Sequence, residues 1–401
     1  MIHILFLHAG AEMYGADKVL LDLIRGLDKK RYQAHVVLPC EGVLVNALQR
    51  ENIDVRVLPY PIMRRKYFTP LGVLKYGWNL VRYSHQLAKI AKKLHIDIVH
   101  TNTSAVLEGS WVAKRLKIPQ LWAVHEIIVS PKIMFRTTSW LISRFADMTV
   151  TVSKATKKHL LESRYFKEKD IHVIYNGVDS ERFHPNNNGA YLRKEWNIPD
   201  EALVVGMIGR INRWKGQHDF LAAMNQVLAT HTSVYAVIVG SAFQGEEWRE
   251  TELDEAIANS PYANRIVRSG YRTDSEQVHG LFDVFVLPST NPDPFPTVVL
   301  EAMSTGKPIV GYRHGGILEM VENDFNGLFA EVRNISDLTQ RINILLDDDD
   351  LRMTMGSNSR KRLLKMFSMK SYIAHYSNAY TELNRRGSTK PNITNIRKKT
   401  L

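Results

Sequence analysis

Leu203-Val-Val-Gly-Met-Ile-Gly-Arg-Ile-Asn-Arg-Trp-Lys-Gly216 reads as a short buried strand running straight into a loop that carries Arg210, Lys215 and Gly216. Working outward, apolar runs recur at 235–239, 266–268, 284–287 and 308–310, with helical patterns between them. An equivalent series lies upstream, at 2–7, 34–38, 55–58, 98–100, 120–124 and 148–152, with helical stretches such as 16–27 and 106–116. Strand alternating with helix argues for parallel sheets covered on both faces, so the fold class is α/β, and two series argue for two Rossmann-like domains. Between them, Phe183-His-Pro-Asn-Asn-Asn-Gly189 is rich in turn formers and is read as the linker. The expected domains are therefore 1–183 and 190–366, with a basic tail at 387–401 expected to be disordered. Ligands of open parallel sheets sit at the carboxyl ends of the strands, so two facing sheets would share a cleft.

Composition narrows the class. A chain of 401 residues, 44% hydrophobic and 23% charged, is that of a soluble globular protein of two or three domains. The single cysteine, Cys40, excludes an internal disulfide framework and a cysteine metal cage, and fits a reducing cytosol. Residues 1–7 lack a basic segment ahead of their short apolar run and are read as a first strand rather than a signal peptide. No uninterrupted apolar run approaches the roughly 18 to 20 residues of a spanning helix. The net charge of +12 is unevenly placed: residues 1–182 carry a balance of +12, residues 183–365 of −6, and the remainder of +6. A basic half suits nucleic acid, anionic lipid or a phosphorylated substrate.

Several constellations follow the strands. Arg210 and Lys215, beside a glycine that permits close backbone approach, suit a diphosphate, though two surface cations ahead of a helix look the same. In Asp293-Pro-Phe-Pro-Thr-Val-Val-Leu-Glu301, a helix starting near Thr297 would point N–H groups at an anion, with Glu301 about one turn along. That geometry suits a sugar nucleotide, the phosphates on the helix N-terminus and the two carboxylates on sugar hydroxyls and ribose diol. Two solvated acids flanking a buried helix is the plain alternative. Gly315-Gly316 offers a second place where N–H groups would meet phosphate or sugar oxygens, or else an ordinary turn. The loop from Gly10 to Gly15 fits neither the Walker pattern nor the dinucleotide fingerprint, which demotes kinase and dehydrogenase readings. His125 ends the strand 120–124, a better position than most for a functional histidine. The run Asp347 to Asp350 follows a helix and is read as solvated, so no metal site is expected.

Together these pieces resemble retaining glycosyltransferases of the GT-B fold, glycosyltransferase family 4, over nearly the whole chain. The resemblance rests on the loop at Gly15, Val152-Ser153, 174–179, Gly209-Arg210 with Lys215-Gly216, the Asp293–Glu301 pair, Gly315-Gly316 and Gly327. It implies two Rossmann-like domains facing across a cleft, with a C-terminal helix at about 367–386 crossing back to the first. It implies that Arg210 and Lys215 neutralise the donor diphosphate, that Thr297 and Val298 cap it, and that Glu301 holds the ribose. Asp293 would hold the transferred sugar, His125 would approach that sugar from the first domain, Gly15 would leave room for phosphate, and Phe295, Gly315 and Gly316 would line the donor site. The family usually has glutamate where this chain has Asp293, one methylene shorter, which bears on the donor sugar or its depth. Implied too are retention of configuration, the leaving diphosphate helping to deprotonate the acceptor, and no cofactor, the nucleotide sugar being a substrate. A UDP-sugar donor and a hexose are favoured, in polysaccharide assembly by a bacterium.

No acid occurs from Val55 to Ile96, while Arg64, Arg65, Lys66, Lys75, Arg82, Lys89, Lys92 and Lys93 alternate with Tyr67, Phe68, Tyr76, Trp78 and Tyr83. Val73, Leu80, Leu87 and Leu94 recur every seventh residue, one face of a helix that Thr69 and Pro70 would start. Beyond a core-packed helix with a solvated basic face, this pattern suits an anionic membrane surface and, on it, a lipid-linked saccharide acceptor. The protein is then expected in the cytoplasm, peripheral on the inner face of the cell membrane. The alternatives are a non-catalytic sugar-nucleotide-binding subunit and a nucleic-acid binder; the second has charge alone in its favour, and no nucleic-acid partner is expected.

Overall fold

Near-continuous Val, Ile and Leu runs leave no solvated face, and they form strands buried on both sides. The computed structural model describes residues 1–63, 67 and 69–388. They form two compact units, 1–175 with 372–388, and 176–371.

The first unit holds seven parallel strands: β1 (Ile2–Leu7), β2 (Tyr32–Leu38), β3 (Asp54–Val57), β4 (Ile98–Thr101), β5 (Gln120–Val124), β6 (Met148–Thr151) and β7 (Ile171–Val173), in the order β3-β2-β1-β4-β5-β6-β7. The central register sets Ile4 beside Ile98 and Leu7 beside Thr101. Between the strands lie α1 (Gly15–Gly26), α2 (Val43–Arg50), α3 (Pro70–Lys93), α4 (Glu108–Leu116), α5 (Lys132–Phe145) and α6 (Lys154–Glu162). Leu5, Leu7, Val37, Leu87, Val99 and Val112 form one core layer, and Trp122, Val124, Ile142 and Leu160 another. Thr69 caps α3 by accepting from Gly72 N at 3.1 Å, with Pro70 in the first turn as expected.

The seven-residue face of α3 is only half a core face. Leu87 is fully buried, but Val73 is 57% exposed, with Leu71, Leu74 and Trp78 around it at 70% or more. Arg64, Arg65, Lys66 and Phe68 lie outside the described residues.

The second unit holds six parallel strands: β8 (Leu203–Ile208), β9 (Val234–Val239), β10 (Ile266–Ser269), β11 (Val284–Leu287), β12 (Ile309–Tyr312) and β13 (Gly327–Ala330), in the order β10-β9-β8-β11-β12-β13. Its helices are α7 (Ala190–Glu195), α8 (Gln217–Thr230), α9 (Trp248–Ala258), α10 (Ser275–Leu281), α11 (Thr297–Ser304), α12 (Ile317–Met320), α13 (Ile335–Asp347) and α14 (Asp349–Met366). Residues 183–189, read above as a linker, lie inside this unit. The Phe183 carbonyl accepts from Ser304 Oγ at 2.5 Å and Arg360 Nη1 at 3.0 Å, and Asn187 packs so closely that a Cβ on Gly280 would lie 2.2 Å from its carbonyl oxygen.

The last helix, α15 (Met369–Ser388), belongs to the first unit from Tyr372 onward. Tyr372, Tyr376 and Tyr380 are buried there, and Tyr380 Oη lies 2.6 Å from His100 Nδ1. Gly26 makes room for Ile373, whose Cδ1 would lie 1.9 Å from a Cβ at that position.

Candidate functional site

In the second unit, chain order reverses at β8, which has β9 on one side and β11 on the other, and the carboxyl ends of such a pair form the crevice of the sheet. The loop after β8 is pinned there from several directions. Gly209 N donates to Val239 O and Ile211 N to Ser241 O, both at 3.0 Å. Asn212 Oδ1 accepts from Trp214 N and Lys215 N at 3.1 and 3.0 Å, a local turn that aims the lysine. Gly216 has φ +81, and a Cβ on it would lie 1.9 Å from Pro288 O, so only glycine lets the loop abut the end of β11.

The result is a buried ion pair: Lys215 Nζ donates to Asp293 Oδ2, with the two side chains 15% and 10% exposed. The Asp293 backbone is fixed from β12, since its carbonyl accepts from Gly316 N at 2.7 Å. Gly315 has φ +73, and Cβ atoms on Gly315 and Gly316 would lie 2.7 Å from Asp293 O and 2.1 Å from Pro294 O. The double glycine thus packs the loop after β12 onto the Asp293 segment, and the Gly316 N–H is already engaged by that loop. Phe295 is buried, its ring 5.6 Å from that of Phe367. Half-buried Thr297 and Val298 open α11, which no side chain caps, so its first-turn N–H groups suit an anion.

Two expected residues have other neighbours. Arg210 lays its guanidinium 3.4 Å from the ring centroid of Phe243, while its carbonyl accepts from Gln217 Nε2 at 2.9 Å. Glu301 is 3% exposed, with Oε2 3.2 Å from Nε2 of His279 on α10. Lys215, Asp293, Gly315 and Gly316 are therefore brought together, and Glu301 lies against His279.

In the first unit, His8, Asn102 and His125 each follow the last residue of β1, β4 and β5, adjacent strands in the sheet. His125 Nε2 lies 2.9 Å from Asn102 Oδ1, Asn102 Nδ2 lies 3.2 Å from His8 Nδ1, and His8 Nε2 lies 2.8 Å from Asp17 Oδ1. Asp17 also accepts from Tyr14 N at 2.9 Å, which ties the network to the start of α1 at Gly15. Glu126 accepts from His125 N and Ser104 N, both at 3.1 Å, and from Thr103 Oγ1 at 2.5 Å. Burial, and then the neighbouring His8, push the pKa of half-buried His125 down to about 3, so its imidazole is neutral near pH 7. His8, Asp17, Asn102 and Glu126 were missed as site residues. The signal available was their place just after strands or at a helix start, but strand order, which a linear reading lacks, is what joins them.

Among the described residues no group of three or more histidine, cysteine or acidic side chains gathers as a metal site would, and no helix is long and apolar enough to cross a membrane.

Two family models match the chain: Glycosyltransferase Family 4 over residues 13–182, and glycosyl transferases group 1 over residues 190–362. An N,N'-diacetylbacillosaminyl-diphospho-undecaprenol alpha-1,3-N-acetylgalactosaminyltransferase of Campylobacter jejuni is 26% identical, the match covering 89% of this chain and 93% of the relative. A UDP-Gal:alpha-D-GlcNAc-diphosphoundecaprenol alpha-1,3-galactosyltransferase of Escherichia coli is 25% identical over 91% and 95% of the two chains. Among solved structures, Anabaena HepE in complex with UDP and glucose superposes with a TM-score of 0.82 at 26% identity, covering 95% of this chain and all of that one.

Proposed function

This chain belongs to the group 1, family 4 glycosyltransferases of the GT-B fold, and from that premise we propose that it moves a hexose-type sugar from a nucleotide sugar, a UDP-sugar first, to a lipid-linked saccharide with retention of configuration. The observation that carries the donor side is the buried Lys215–Asp293 pair beside the uncapped start of α11, at the switch between β8 and β11. A diphosphate entering there meets a cation and a helix N-terminus, and the Asp293 carboxylate then has lone pairs for sugar hydroxyls. Charge developing on the leaving diphosphate is stabilised by Lys215, by Arg210 and by the first-turn N–H groups, each fixed donor being worth roughly 3 to 4 kcal/mol. The leaving oxygen takes the acceptor proton on the same face, which retains configuration without an enzyme nucleophile. Glu301 is assigned to the ribose diol, sharing its carboxylate with His279. His125 is assigned to the transferred sugar on the strength of its place after β5.

Support for a lipid-linked acceptor comes from the two relatives, whose names specify undecaprenol diphosphate saccharides, and from the first unit itself. Between α3, α4 and α5 lies a cavity of about 620 Å³ lined by Leu80, Trp111, Leu141 and Phe145, with Lys114 and Arg115 alongside. The adjoining exposed apolar half of α3 suits a peripheral membrane contact. Incubating the purified protein with a panel of UDP-, GDP- and ADP-sugars and polyprenyl diphosphate saccharides, with and without chelator, tests the proposal. Transfer with retained anomeric configuration, insensitive to chelator, is expected. Binding of a nucleotide sugar without transfer or slow hydrolysis would instead indicate a non-catalytic subunit.

A further inference from the structure

The hydrogen-bond chain across the ends of β1, β4 and β5 constrains where protons sit, because the carboxylate at its end holds acceptors alone. A carboxylate oxygen only accepts, so His8 Nε2, 2.8 Å from Asp17 Oδ1, carries a proton. With that proton alone, His8 has a lone pair at Nδ1 to which Asn102 Nδ2, 3.2 Å away, donates; the backbone carbonyl oxygen of Asn102 lies 3.3 Å from the same nitrogen. With its NH2 turned to His8, Asn102 presents Oδ1 to His125 Nε2 at 2.9 Å, and an amide oxygen only accepts. In that arrangement His125 carries its proton on Nε2. Asn102 is 2% exposed and its backbone N–H donates to Leu7 O at 2.9 Å, so the residue is held in place at the end of β1.

We propose that Asn102 is a positioning residue which, oriented by the Asp17–His8 pair, locks His125 as the Nε2–H tautomer and so presents Nδ1 as an acceptor for a hydroxyl of the saccharide substrate. No described residue bonds to that Nδ1 nitrogen. The assignment of the hydroxyl rests on the glycosyltransferase reading above; the assignment of the tautomer does not. The amide has one other consistent orientation. Were His8 protonated on both nitrogens, Asn102 would turn Oδ1 to it, offer Nδ2 to His125, and leave the His125 proton on Nδ1.

The two orientations are separated by long-range 15N–1H correlation spectra of the full chain with labelled histidine at pH 7.5, His125 being assigned from the spectrum of His125→Gln. An unprotonated Nδ1 and protonated Nε2 are expected; the reverse overturns the proposal. Kinetics supply the second arm. Asn102→Leu removes both amide contacts and is expected to lower kcat about tenfold or more with donor KM unchanged. Asn102→Asp keeps an acceptor for His125 Nε2–H and is expected to recover most of that loss. A merely structural role predicts the opposite order, since a buried carboxylate disturbs packing more than leucine does, and that order also overturns the proposal. If the wild-type protein transfers no sugar to any acceptor, the function reading falls while the spectra still decide the tautomer.

Discussion

Arg210 and Lys215 share an assigned task but differ in what holds them, so their removal should look different. Arg210 lies on the half-exposed ring of Phe243, whereas Lys215 neutralises a buried carboxylate. Arg210→Ala and Lys215→Ala are each expected to depress turnover at least about a hundredfold, as loss of one fixed cationic donor does. Only Lys215→Ala should also lower the melting temperature, because it leaves Asp293 buried without its partner, at a cost of roughly 3 to 5 kcal/mol. Near-normal turnover in both variants would remove the donor assignment. Asp293→Glu keeps the carboxylate and lengthens it by one methylene, a change that discriminates between ligands by about tenfold or more in a fitted pocket. The ratio of kcat/KM for two competing nucleotide sugars is therefore expected to move by at least that factor, and an unchanged ratio would take donor choice away from this side chain.

Among the elements, the loop after β12 and the N-terminal half of α3 carry the clearest expectations. A Cβ on Gly316 meets the Pro294 carbonyl oxygen at 2.1 Å, so Gly316→Ala must push the Asp293 segment aside. Overpacking of this kind costs about 1 to 3 kcal/mol, and calorimetry should show a lower melting temperature together with a higher donor KM. Helix α3 exposes Leu71, Leu74 and Trp78 beside exposed Lys75 and Arg82. Co-sedimentation with anionic vesicles is expected at low salt and lost at high salt, with Trp78→Ala weakening it; protein that stays in the supernatant at low salt would end the membrane reading. These two elements also show where a linear reading stops. The strand run 203–208 and the start of α11 at Thr297 were legible because apolar runs and turn formers are local signals. The double glycine was legible as a site but not as a packing contact, since its neighbours Asp293 and Pro294 come from another strand end. The face of α3 was legible as a stripe, yet nothing in its seven-residue spacing says that only the C-terminal half has a sheet beneath it. The three-residue strand β7 and the run at 183–189 that packs on α10 and α11 are too short or too polar to declare themselves.

At the scale of the whole molecule, the pH dependence of stability follows from three groups of the first unit. Burial foremost, with His125 adding repulsion, pushes the His100 pKa down to about 3, and His125 is held at about 3 by burial and His8. Unfolded, each histidine takes up a proton near pH 6.5, so between there and pH 3 the unfolded chain binds more protons and stability falls as pH falls. Glu108 works the other way. It is fully buried at the start of α4, its Oε1 has no hydrogen-bond partner, and burial raises its pKa to about 8 against two lowering backbone hydrogen bonds. The folded state therefore keeps a proton that the unfolded chain has lost above its ordinary carboxylate range, and stability declines as pH rises toward 8. Two groups favour higher pH up to about 6.5 and one disfavours it from its ordinary carboxylate range up to about 8, so these three terms together place the maximum near pH 6.5. The alkaline limb belongs to Glu108 alone among them, with a slope of at most about 1.4 kcal/mol per pH unit. Glu108→Gln imitates the protonated side chain at every pH. Chemical denaturation of the wild type between pH 6.5 and 8 should show a loss of about 2 kcal/mol at most that the Gln variant lacks; a variant that declines in parallel with the wild type would mean that Glu108 ionises normally in the folded chain.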